Sequence, residues 1–212
     1  MEFLLVRHGE PVTAVSETGP VDPELTERGR WQAERLGDWL ACEPIDYVVA
    51  SSKRRAIETA TPLSIRLGIE PEIVPDLVEI DRNCRFYAPP PVLKDRFPEY
   101  YAEIVAGNFE KIGWDSYEVF QERVTRAWQD LVDRPRGKRV VVACHGGTIG
   151  VILSTVLGIS THTLLDATPF ASVTRLYVEQ GGLKVRSLHE VAHFDGTRTR
   201  EVGPDGEGFP AV

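Results

Sequence analysis

Cysteine is scarce in this chain, with three in 212 residues, at positions 42, 84 and 144. An odd, widely scattered set excludes a disulfide framework and suggests reduced thiols in a cytoplasmic setting. An excess of positive charge is missing too: Lys and Arg number 24 against 32 Asp and Glu, for a net charge of -8. That balance argues against nucleic-acid and membrane-surface binding, whose footprint is basic, and leaves room for a local basic pocket that takes a small anion. No apolar run approaches the length that crosses a bilayer. Residues 1–7 turn polar too early for a secretory hydrophobic region. Internal repeats and low-complexity blocks are absent as well. What is present is 42% hydrophobic and 26% charged, an ordinary globular composition sized for one domain or one domain with an insertion.

Strand and helix signals alternate along the chain. Residues 3–6 are a short apolar run ended by Gly9 and Pro11, as in a buried strand. Residues 12–24 read as loop, and Thr26 can cap a helix to about residue 41 that buries Trp31, Leu36, Trp39 and Leu40. Residues 47–50 form a second strand. A helix over 54–67 follows, bent or interrupted at Pro62 and closed by Gly68. Residues 73–80 are a weaker strand, confined to an edge by Pro75. Residues 81–115 change texture, with Pro89-Pro90-Pro91, scattered basic and aromatic side chains, and a short helix at 98–106; they read as a lid on the main domain. Ser116 caps a strongly periodic helix containing Trp128, and 135–137 form a turn. Residues 139–144 are the clearest buried strand, in which Cys144 is a packing residue, and a helix over 148–157 follows. Strands near 172–178 and 183–188 join through a turn at 181–182. The domain spans 1–194, and 195–212 are a flexible tail. The order predicts an α/β fold, a three-layer sandwich whose central, mostly parallel sheet is flanked by helices.

In such sheets ligands sit at the carboxyl ends of the strands. Here those ends carry Arg7-His8-Gly9-Glu10, Ser51-Ser52, the stretch 79–81, and His145-Gly146-Gly147-Thr148. A neutral imidazole such as His8 can attack an electrophile and carry a covalent intermediate, and Gly9 leaves room for an anion to approach. His145-Gly146-Gly147 repeats the design ahead of a helix, whose free N–H groups favour anions. Arg55 opens the helix after the second strand, and Arg7 ends the adjacent one. Two guanidiniums and two imidazoles around one spot form an oxyanion pocket that needs no metal.

Taken in order and spacing over roughly residues 1–160, these pieces resemble the histidine phosphatase superfamily, which includes cofactor-dependent phosphoglycerate mutase. The matching segments are Arg7-His8-Gly9-Glu10, Leu25-Thr26-Glu27-Arg28-Gly29, Ser51 through Ala56 with Thr59-Ala60, Leu77-Val78-Glu79, and Val142 through Thr148. The resemblance implies a phosphoglycerate mutase-like fold. It implies that His8 is the nucleophile that becomes phosphohistidine, that Arg7, Arg55 and His145 hold the phosphoryl oxygens, and that Glu79 protonates the leaving oxygen and then activates water. Asp81 lies two residues on, so in an extended strand it shares the face of Glu79; either can be the donor, Asp76 is a more distant third, and family position favours Glu79.

Two departures from the family pattern matter. Ala14 stands where mutases carry Asn, so one phosphate contact passes to another group, with Thr13 as a substitute. A stretch often rich in glycine is here Asp81-Arg82-Asn83-Cys84-Arg85-Phe86-Tyr87. Both favour a phosphatase acting on a small phosphorylated substrate over phosphoglycerate mutase-type transfer; a non-catalytic phosphate-binding protein is the remaining alternative. In the lid, Arg82 and Arg85 are the first choices for binding a second anionic group, ahead of Tyr87, Lys94 and Arg96. Phe97, Tyr100 and Trp114 could instead meet a ring. No cofactor or metal is expected, and a homodimer is allowed. His189-Glu190-Val191-Ala192-His193 fits the H-E-x-x-H zinc pattern, but that chemistry needs both histidines on one helix. Here the segment leaves a strand and runs into Asp195-Gly196, so the match reads as chance.

Overall fold

The computed structural model describes residues 1–88, 90–134, 137–159, 168–179 and 182–195. Residues 135–136 and 181, within two of the expected turns, and 196–212 of the expected tail lie outside the described residues. The elements run β1 (Glu2–Arg7), β2 (Ala14–Val15), α1 (Glu27–Leu40), β3 (Tyr47–Ala50), α2 (Arg54–Leu67), β4 (Glu72–Ile73), β5 (Phe86–Tyr87), α3 (Pro90–Arg96), α4 (Pro98–Val105), α5 (Tyr117–Asp133), β6 (Arg139–Cys144), α6 (Gly146–Leu157), β7 (Val173–Glu179), β8 (Gly182–Glu190) and α7 (Ala192–Asp195). Among the described residues no helix is long and apolar enough to cross a membrane.

Six strands form one sheet in the order β4-β3-β6-β1-β7-β8. The first four are parallel, β7 runs against β1, and β8 against β7. Side-chain alternation divides β1 between two layers. Phe3 and Leu5 pack with Val140, Val142 and Cys144 against Phe120, Val124 and Trp128 of α5 and Ile149 and Ile152 of α6. Leu4 and Val6 pack with Val141 and Ala143 against Leu36 and Leu40 of α1 and Leu63 of α2. Phe3 and Leu4 are both fully buried, so β1 is covered on both faces, and each such side chain contributes about 1.5–3 kcal/mol.

The caps work as the sequence suggests. Thr26 Oγ1 accepts from Gly29 N at 2.9 Å to start α1, a contact worth about 1 kcal/mol, and Ser116 Oγ accepts from Val119 N to start α5. Four expectations are corrected. Pro62 lies inside a helix that runs unbroken from Arg54 to Leu67. Residues 73–80 are mostly not strand: β4 stops at Ile73, a 3₁₀ turn covers Pro75–Leu77, and the chain then bends. The loop 12–24 contains β2, which pairs with β5 and ties the lid to the first strand's loop. Trp31 and Trp39 are only half-buried, stacked on Phe194 and His193 around α7, whereas Trp128 is in the core as expected.

The lid is built differently from the sandwich. Cys84, Phe86, Leu93 and Ile112 form a small separate cluster, with Phe97, Tyr100, Tyr101, Ile104 and Trp114 packed around it. No residue of α4 is buried. Lys53, at the entry to α2, pins the lid's root: its ammonium donates to the carbonyls of Val21 and Arg82.

Candidate active site

The carboxyl ends of β1, β3 and β6 meet at one point, because parallel neighbours in register must end side by side. His8 follows β1 and is 2% exposed. Its Nδ1 lies 2.7 Å from the Gly9 carbonyl oxygen. A carbonyl only accepts, so Nδ1 carries the hydrogen and Nε2 keeps its lone pair. Burial, then the charges of Arg55 and Arg7, hold the His8 pKa well below the ordinary value, which keeps the ring neutral near pH 7. His145 follows β6, with its ring centre 5.1 Å from that of His8. Its Nε2 meets Ser51 Oγ, at the end of β3, at 2.8 Å. Nδ1 is buried with no partner among the described residues. Burial followed by the Arg55 charge keeps His145 neutral as well.

Two guanidiniums flank the imidazoles. Arg7 donates from Nη1 to the Thr168 carbonyl, and its Cζ lies 4.0 Å from the Phe170 ring centre. Arg55, at the start of α2 and almost wholly buried, donates from Nη2 to both Asp81 oxygens at 3.0 and 3.1 Å. Its Cζ stands 4.7 Å from the Tyr87 ring centre. Tyr87 stays a neutral phenol, since burial raises its pKa against the opposing pull of Arg55 and Arg7.

The two candidate carboxylates do different things. Glu79 accepts from Gly147 N, at the start of α6, at 2.7 Å and from Ile80 N at 3.0 Å. Burial and the charge of Asp81 raise its pKa, against these two N–H groups and Arg55. Gly147 has to be glycine for this contact: a Cβ there would lie 2.3 Å from Glu79 Oε1. Asp81 is committed to Arg55. The shared strand face expected for them does not exist, because the chain bends between them; both reach the site through the turn. Asp76 is exposed, in the 3₁₀ turn.

A cavity of about 300 Å³ opens from this cluster, walled by Arg7, His8, Arg55, Glu79, Asp81, Gly146 and Gly147 at one end and by lid and α5 side chains at the other. His145, packed edge-on against His8, does not line it. Four residues expected to bind substrate are not on this wall either. Thr13 is exposed. Gly9 faces α1: a Cβ there would lie 2.6 Å from the Gly29 carbonyl oxygen, so the glycine serves packing and not anion approach. Arg82 is paired to Asp115 at 2.9 Å, and Asp115 also takes Arg123. Arg85 reaches back to the Glu17 carbonyl. Lys94 and Arg96 are exposed on α3.

Other contacts at the site involve residues whose part in it the sequence did not specify. Thr59 Oγ1 accepts from Gly9 N at 2.9 Å and so fixes the loop that carries His8. The strap 168–172 holds the site from outside: Phe170 lies on Arg7, and Ala171 N donates to the His8 carbonyl. Nothing local marks that strap, because its partners lie far away in sequence. Tyr87 faces Ala14 across the β2–β5 pair, which places a phenol beside the position where mutases carry Asn. The zinc-like pentapeptide is split between elements, His189 in β8 and His193 in α7.

An α/β sandwich with paired imidazoles and guanidiniums at its parallel strand ends defines a class of phosphoryl-handling proteins. The chain belongs to the histidine phosphatase superfamily (branch 1), whose pattern it matches over residues 3–191. It is 32% identical to phosphoglycerate mutase-like protein 4 of Arabidopsis thaliana over 158 residues, 70% of this chain and 67% of that one. It is 29% identical to a metal-independent phosphoserine phosphatase of the same plant, over 99% of this chain and 90% of the relative. In structure it resembles YhfR of Bacillus stearothermophilus with a TM-score of 0.71 at 24% identity, covering 91% of this chain and 98% of the other.

Proposed function

We propose that this protein is a metal-independent phosphatase that hydrolyses a phosphate monoester through a phosphohistidine on His8. The observation that carries the reading is the state of His8: neutral, its Nδ1–H spent on the Gly9 carbonyl and its Nε2 left with a lone pair, on the wall of a cavity that Arg7 and Arg55 also line. In the first step Nε2 attacks phosphorus and the ester P–O bond breaks. The leaving oxygen takes the proton from the Glu79 carboxyl, whose raised pKa suits a donor. In the second step water attacks phosphorus, Glu79 takes its proton, and the N–P bond returns its electrons to Nε2. Arg7 and Arg55 oppose the charge on the phosphoryl oxygens throughout. His145 packs against His8 from outside the cavity wall, with Ser51 on its Nε2, and supports the ring of the nucleophile. The Tyr87 hydroxyl takes the role that Asn plays in mutases.

The reading takes residues 1–194 as one domain with a lid at 81–115. The free thiols of Cys42, Cys84 and Cys144 support a cytoplasmic location. The test is phosphate release from a generic aryl phosphate in excess chelator. Wild type releases phosphate, and His8→Ala lowers the rate by ~10⁴-fold or more. Equal release from both proteins would refute nucleophilic catalysis at His8.

A further inference from the structure

The cavity has two chemically different ends. All of its charged side chains, Arg7, Arg55, Glu79 and Asp81, sit at the strand ends. Beyond them the wall includes Phe86, Leu93, Tyr101, Ile104, Phe109 and Trp114, contributed by the lid. Among the described residues no cation other than Arg7 and Arg55 lines it. The basic residues of the lid do not line the cavity: Arg82 is paired to Asp115 and Lys111 to Glu103, Arg85 donates to the Glu17 carbonyl, and Lys94, whose ammonium lies 5.9 Å from the Tyr101 ring centre, and Arg96 are exposed. A second anionic group on the substrate would be desolvated against apolar side chains, with no cation of the lid on the wall to receive it. That is costly without a counter-ion. An uncharged ring would exchange water for aromatic and aliphatic contacts and gain in proportion to the area covered.

Resting on the phosphatase reading above, we infer that the leaving group is an uncharged aromatic or branched apolar alcohol, and that the site discriminates against phosphorylated acids. The volume of about 300 Å³ is at the small end of ligand pockets, which span roughly 300–1,000 Å³. With the phosphoryl group in place it fits a single or fused ring and excludes a whole nucleotide.

The experiment compares kcat/KM for 2-phenylethyl phosphate with that for phosphoserine and 3-phosphoglycerate. All three are esters of unactivated alcohols, so the ratio reads the lid wall and not leaving-group reactivity. The phenylethyl ester is favoured by at least ~10-fold, and Ile104→Lys, which places a cation on the wall, shifts the ratio toward the acids. A preference for phosphoserine or 3-phosphoglycerate, or no preference, overturns the inference and leaves the phosphatase reading standing. If no ester is turned over, calorimetry reads the same wall without chemistry: 3-phenylpropylphosphonate binds at least ~10-fold tighter than a phosphonate bearing a carboxylate. The opposite order overturns the inference, while the absent turnover counts separately against the phosphatase.

Discussion

The strand-end floor and the lid meet at one cavity, yet they are assembled by different means. On the floor, His8, Arg55, Glu79 and His145 are each fixed by hydrogen bonds to main chain or to a buried partner, around the ends of strands covered on both faces. The lid rests on a small cluster of its own, includes a helix with no buried residue, and faces the cavity with apolar side chains. In the proposed phosphatase, preorganised polar groups set the reaction and the apolar wall sets which ester enters. A change on the floor should therefore appear in kcat, and a change in the lid in KM and substrate preference.

Glu79→Gln gives the largest loss in this contrast. It keeps the shape, removes the proton, and lowers kcat by ~10²–10⁴-fold for alkyl phosphates and less for activated aryl esters. A uniform loss across leaving groups would take the proton-donor role away from Glu79. Paired truncations come next. Leu5→Ala, in the sheet, lowers the unfolding free energy by about 2–5 kcal/mol. Leu93→Ala, in the lid, raises KM and flattens substrate preference with a smaller shift in global unfolding, because the lid opens locally first. Equal shifts in denaturant midpoint would mean that the lid is not a separate unit.

Asp81→Asn removes a charge that raises the Glu79 pKa. Since the acid must be protonated, the basic limb of the kcat profile moves to lower pH. A limb that stays in place, or moves up, would sever the link between Asp81 and Glu79. The smallest effect lies outside the cavity wall. His193, stacked on Trp39, has its pKa lowered from 6.5 to about 4 by burial. Below pH 6.5 the unfolded chain takes up this proton and the folded chain does not, so stability falls as pH drops toward 4, by up to about 3 kcal/mol. His193→Phe keeps the stacking and removes this slope; parallel urea curves for the two proteins at pH 7 and 4.5 would disprove it.

How much of this was legible in the sequence follows from the range of the forces involved. The sandwich and the positions of His8, Arg55 and His145 follow from short apolar runs and the residues that end them, all local patterns. The relation of Glu79 to Asp81 was misread, because the local pattern of 73–80 looked like a strand and the chain instead makes a 3₁₀ turn and bends. Arg82 and Arg85 could not be oriented from sequence. Arg82 turns toward Asp115, 33 residues away, and no periodicity encodes that choice. Gly9 was assigned the wrong reason for being glycine, since Gly29, which crowds it, lies on another element.

That last contact reaches beyond this site. A Cβ on Gly9 would meet the Gly29 carbonyl oxygen at 2.6 Å, and one on Gly29 would meet the Glu10 carbonyl oxygen at 2.0 Å. The loop that presents His8 and the first turn of α1 are thus interlocked, backbone against backbone, and Thr26 ties the same turn to the Glu10 carbonyl. For protein engineering they are a single transplantable cassette: moving Arg7-His8-Gly9-Glu10 onto another sheet would carry over the side chains but leave the imidazole unaimed, unless Thr26 through Gly29 travelled with it.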